Sequence, residues 1–83
     1  MEKKFDFTVN ITSKALQKAW ELMKLANDPN INAEELLVFA DKKIEAFTGL
    51  LETGIFTGAA KEEIIEAKKI AIMAQRVIKR RVE

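Results

Sequence analysis

Residues 4–11 alternate without a break. Phe5, Phe7, Val9 and Ile11 fall on one side of an extended chain, and Lys4, Asp6, Thr8 and Asn10 fall on the other. That two-residue period predicts a half-buried β-strand over about 4–11. No second segment shares the alternation, and a strand without a neighbour leaves its N–H and C=O groups unpaired. The pattern therefore predicts a homodimer in which two copies join Phe5, Phe7, Val9 and Ile11 in an antiparallel two-stranded ribbon.

From residue 12 onward the period lengthens to that of a helix, three times over. The first helix is expected over about 13–26, with Thr12 as N-cap, Ile11 stapled on Leu16, and Leu16, Ala19, Met23 and Ala26 forming the apolar stripe. Trp20 lies at the edge of that stripe, a position that suits a core residue when covered and a partner anchor when exposed. Pro29 disfavours helical backbone at Asp28, and Asn27-Asp28-Pro29-Asn30 has turn-forming residues throughout.

The second helix is expected over about 33–52. Asn32 as N-cap puts Glu35 at the third helical position, a capping box, with Ile31 and Leu36 flanking it as a hydrophobic staple. Ala33, Leu37, Ala40, Ile44, Phe47 and Leu51 step along its apolar stripe. Gly54 suits the left-handed position that closes a helix, which would turn Ile55 back onto Leu50.

The third helix is expected over about 58–81, with Thr57 as N-cap. Ala60, Ile64, Ala67, Ala71, Ala74 and Ile78 form its stripe, and the three alanines in succession would let another helix approach closely. Ile65, Ile70, Ile72, Met73 and Val77 widen the apolar arc, so this helix is expected to lie between neighbours. The fold class that follows is mainly α: one N-terminal strand and three amphipathic helices in a single domain.

Composition removes most chemistries. The chain has no cysteine and no histidine, which excludes disulfides, cysteine or histidine metal sites and the commonest general base. No cofactor is implied. Its apolar runs are too short to span a bilayer and its Met-Glu-Lys-Lys start lacks a signal peptide's apolar core, so a cytoplasmic protein without membrane contact is expected.

The net charge of +1 conceals an uneven layout. Residues 1–24 hold five lysines against three acids and residues 61–83 seven cations against four acids, whereas 25–60 hold two lysines against six acids. Basic ends around an acidic middle suit charge complementarity within or between subunits.

Acidic candidates for catalysis reduce to helix-surface groups. Asp41 and Glu45 share a helical face, but no histidine or second acidic motif completes a site. Glu62, Glu63 and Glu66 complement the dipole near the start of the third helix. The Thr53-Gly54-Ile55-Phe56-Thr57-Gly58 loop lacks the Gly-Lys-Ser/Thr ending of a phosphate-binding loop. No enzyme is expected.

A strand followed directly by two amphipathic helices resembles the ribbon-helix-helix family over residues 3–51. The resemblance implies a dimer whose strand ribbon enters the DNA major groove. By position, Lys4, Asp6, Thr8 and Asn10 would face the bases, with Thr8 and Asn10 as readers, while Lys3, Lys4 and Lys14 would touch phosphates. The third helix has no counterpart in the minimal family fold.

The leading expectation is a small cytoplasmic interaction or regulatory module that binds a larger protein. Trp20 and the basic group Arg76, Lys79, Arg80 and Arg81 are its candidate partner-binding residues. A DNA-binding regulator is the alternative.

Overall fold

A computed structural model describes the backbone of residues 2–83 and the side chains of residues 12–83. Three helices follow one another: α1 (Glu2–Ala26), α2 (Ala33–Glu52) and α3 (Gly58–Val82). Among the described residues there is no strand.

Helix α1 runs from Glu2, and the strand expected over 4–11 is not shown among the described residues. The residue pattern itself is compatible with either conformation. Phe5 and Val9, like Phe7 and Ile11, are four residues apart, a spacing that keeps side chains together in a strand and in a helix alike. A helix also satisfies its backbone groups internally, which a lone strand cannot do. The side chains of Phe5, Phe7, Val9 and Ile11, and with them the expected dimer ribbon, lie outside the described residues.

Starting the helix early moves Thr12 from cap to interior. It is fully buried, and its hydroxyl donates to Glu63 Oε1 at 3.2 Å across the α1–α3 seam. The seam of α1 thus runs Thr12, Ala15, Ala19, Leu22, Ala26, a 3-4-3-4 step, with the expected Leu16 and Met23 half-buried on its flank.

Cross-helix hydrogen bonds fix the topology. Thr12 meets Glu63 and Ala26 meets Arg81, so α1 and α3 run parallel. Asp41 meets Gln75 and Ile31 meets Arg81, so α2 runs antiparallel to both. Helix α3 packs extensively on α1 and on α2, whereas α1 and α2 touch sparsely. The broad apolar arc of α3 anticipated this central place.

Its expected stripe is the core, except for Ala60, which is half-buried at its edge. Ile64, Ala67, Ala71, Ala74 and Ile78 are fully buried, joined by Ile70 from α3 and by Leu36, Ala40 and Phe47 from α2. Small residues meet across the α1–α3 seam, with Ala15 and Ala19 on one side and Ala67, Ala71 and Ala74 on the other, so the backbones can close up. Burial of a large side chain such as Ile64 or Ile78 contributes about 1.5–3 kcal/mol.

The connectors follow their residue chemistry. Asp28 Oδ1 accepts from the Asn30 N–H at 2.9 Å, and Asn32 Oδ1 caps α2 by accepting from the Glu35 N–H at 3.0 Å. At the far end Gly54 takes the left-handed conformation at φ 73°, as a helix-closing glycine should. The chain then departs from expectation: Ile55 is 72% exposed, and Phe56 is the residue tucked into the core. The Thr53 hydroxyl explains the altered close. It donates to Leu50 O at 2.7 Å and accepts from the Ile55 N–H at 3.3 Å, relaying a bond that the Ile55 N–H would otherwise give to Leu50 directly.

Candidate functional site

The outer surface of α1 carries the most exposed aromatic ring among the described residues. Trp20 is 56% exposed, with half-buried Leu16 and Met23 near it on one flank of the seam and half-buried Leu25 on the other. Gln17, Glu21 and Lys24 join Trp20 around a shallow open depression. Trp20 sits one position past the buried Ala19, so the same helical phase that seals the α1–α3 seam turns the indole outward.

The basic end of α3 divides into two roles. Arg76, Lys79 and Arg80 are exposed. Arg81 is half-buried, and its guanidinium donates to Ala26 O at 3.1 Å and to Ile31 O at 2.7 Å. It satisfies a carbonyl at the C-terminus of α1 and another in the connector that follows, where unpaired carbonyls collect. Arg81 therefore holds three segments of the chain together, while its neighbours remain open to solvent.

The acidic candidates are not assembled into a centre. Asp41 accepts from Gln75 Nε2 at 2.5 Å and Glu45 is exposed beside it. Glu63 is used by Thr12. Glu62, Glu63 and Glu66 lie beyond the first turn of α3, which holds no acid. Among the described residues no group of three or more acidic, histidine or cysteine side chains is placed to hold a metal ion. The glycine loop is occupied with turning: Gly54 and Gly58 both have positive φ, and Thr57 stands at the N-cap without a side-chain capping bond.

Comparison of this chain with protein-family models, with curated proteins and with solved structures finds no match. The site therefore has to be judged on its own residues. Of the nucleic-acid candidates, Lys14 is exposed on α1, while the side chains of Lys4, Thr8 and Asn10 lie outside the described residues. No described helix is long and apolar enough to cross a membrane.

Two functional contacts of the fold escaped the sequence reading, Thr12 with Glu63 and Arg81 with the α1–α2 connector. The first was legible in principle, because Thr12 continues the 3-4-3-4 step of Ala15, Ala19, Leu22 and Ala26 toward the N-terminus. The second depends on where the chain returns, which no local pattern carries.

Proposed function

We propose that this chain is a small non-enzymatic cytoplasmic module that regulates a larger protein by binding it, with Trp20 as the anchor. The observation that carries the reading is the exposure of Trp20. A tryptophan left more than half open on a packed helix forgoes part of the stabilisation that burying its apolar surface would give, and tryptophan is among the side chains that most often dominate binding energy when a partner covers it. Leu16 and Met23 supply apolar surface around the ring. Arg76, Lys79 and Arg80 supply a basic surface on α3 that favours an acidic partner.

The test uses the whole chain immobilised and exposed to extract from its native host. A protein retained by the wild type is then purified and its affinity measured against wild type and Trp20→Ala. The expected result is a loss of about 30-fold, the 2 kcal/mol of a hot-spot tryptophan, with helical content unchanged. A partner that binds Trp20→Ala as tightly as wild type would refute the assignment.

The ribbon dimer and the DNA-binding alternative both need extended backbone over 4–11. The side chains that both would use there lie outside the described residues. A DNA mobility shift that weakens steeply with salt and changes sequence preference with Asn10→Ala would reinstate them.

A further inference from the structure

The face shared by α2 and α3 carries opposite charge along its two edges. On α2, Glu34, Asp41, Glu45 and Glu52 recur at steps of seven, four and seven, which keeps them on one side of the helix. On α3, Lys61, Lys69 and Arg76 flank Ile65 and Ile72, which are half-buried and seven residues apart, with exposed Glu62, seven residues before Lys69, as the one acid in that row. The Asp41–Gln75 hydrogen bond shows that the acidic edge of α2 borders this side of α3.

We infer that this face binds a second copy of the chain, in a charge-keyed dimer whose two-fold axis runs parallel to the helices. Two isologous arrangements are open to a pair of such faces. An axis perpendicular to the helices in the plane of contact sets α2 on α2 and α3 on α3, acid on acid and base on base. An axis parallel to the helices sets α2 of each copy on α3 of the other, so each acidic edge meets one in which cations outnumber acids three to one, Lys61, Lys69 and Arg76 against Glu62. Juxtaposed like charges cost several kcal/mol, so charge selects the parallel axis.

The levels agree as well as the signs. A parallel two-fold axis leaves every residue at its own height, so heights within one chain give heights across the interface. Asp41 is level with Gln75. Both helices rise about 1.5 Å per residue in opposite directions, which sets Glu45 near the level of Ala71 and Glu52 near that of Ile64. Lys69 and Lys61 are within about one turn of those levels, in reach of a long flexible side chain, and Asp41 comes level with Arg76. The partly open Ile65 and Ile72 lie along the same helix and would be covered by the partner's α2. Trp20 is on α1 and takes no part, and although Arg76 also belongs to the proposed partner surface, the variants below leave both residues unchanged, so failure of this interface and failure of the partner-binding proposal are distinguishable.

The experiment is sedimentation equilibrium on the full chain at low and high salt, with helical content followed in parallel. Glu45, Glu52, Lys61 and Lys69 are all exposed, and reversing them places a cation at the end of α2 and an acid at the start of α3, which suits both helix dipoles. Wild type is expected to be dimeric at low salt and to dissociate as salt rises. Glu45→Lys with Glu52→Lys, and separately Lys61→Glu with Lys69→Glu, should each weaken association about tenfold or more. The four changes together restore complementarity with the net charge of the wild type, and this swapped chain should dimerise again. A monomeric wild type at low salt, double variants that dimerise like wild type, or a swapped chain that stays monomeric would each overturn the inference.

Discussion

Arg81, in the last turn of α3, donates to the carbonyl oxygen of Ile31 at 2.7 Å, tying the chain's end to the connector between its first two helices. The same guanidinium reaches Ala26 O. Hydrogen bonds from a charged donor contribute about 1.5–3 kcal/mol where water is partly excluded. Arg81→Ala should therefore lower stability by about 2 kcal/mol, seen as a lower urea midpoint. Arg81→Lys should recover only part of it, because one ammonium lacks the fork that serves two carbonyls in different directions. A full recovery by lysine would mean that charge at the end of α3 matters and the two bonds do not.

The alanine seam makes a different kind of demand. Ala71 is fully buried on α3 between α1 and α2, in a row with Ala67 and Ala74. Ala71→Leu adds apolar volume where helices are held close by having none, and overpacking of this kind costs about 1–3 kcal/mol. Thermal unfolding should show a lower midpoint despite the greater hydrophobicity of leucine. A midpoint at or above that of the wild type would show that the seam has room to spare.

Much of this fold could be read from the chain before any coordinates. The stripe Ile64, Ala67, Ala71, Ala74, Ile78 is the observed core of α3, and the central place of that helix followed from its wide apolar arc. Asn32, Pro29 and Gly54 marked their turns because each acts through its own backbone or side chain. What failed depended on choices that local pattern does not resolve. On α1 the large residues Leu16 and Met23 drew the stripe one position away from Ala15, since a close helix contact is made by small side chains that hydrophobicity alone ranks low. Over 4–11 the four-residue spacing of Phe5 and Val9 fitted strand and helix equally. For the candidate site, Trp20 was visible as a boundary residue, but which side of the boundary it occupied was set by α3.

Ile55 and Phe56 offer the sharpest contrast between neighbours. Ile55 is 72% exposed and Phe56 is 8% exposed. Truncating a buried phenylalanine costs about 3–5 kcal/mol, so Phe56→Ala should unfold a large part of the population under mild denaturant. Ile55→Ala should stay within about 0.5 kcal/mol of wild type, as surface changes do. Comparable losses at both positions would place Ile55 in the core and return the loop to the closure that the sequence pattern suggested.

One substitution should act with opposite signs at two glycines of the same helix end. Gly49 lies inside α2 with no atom within 4 Å of an added Cβ, and its φ is not positive. Gly49→Ala should stabilise by about 0.5–1 kcal/mol, because glycine loses more backbone entropy in a helix than alanine does. Gly54 also has open space around it, yet its φ of 73° lies in the left-handed region. There an added Cβ meets its own backbone, so Gly54→Ala should destabilise by about 1–2 kcal/mol, and Gly54→Asn by less because asparagine tolerates that conformation. Urea unfolding of the three variants checks both signs at once. Since neither site offers a steric clash with its neighbours, a shift in the same direction at Gly49 and Gly54 would contradict the left-handed close of α2 itself.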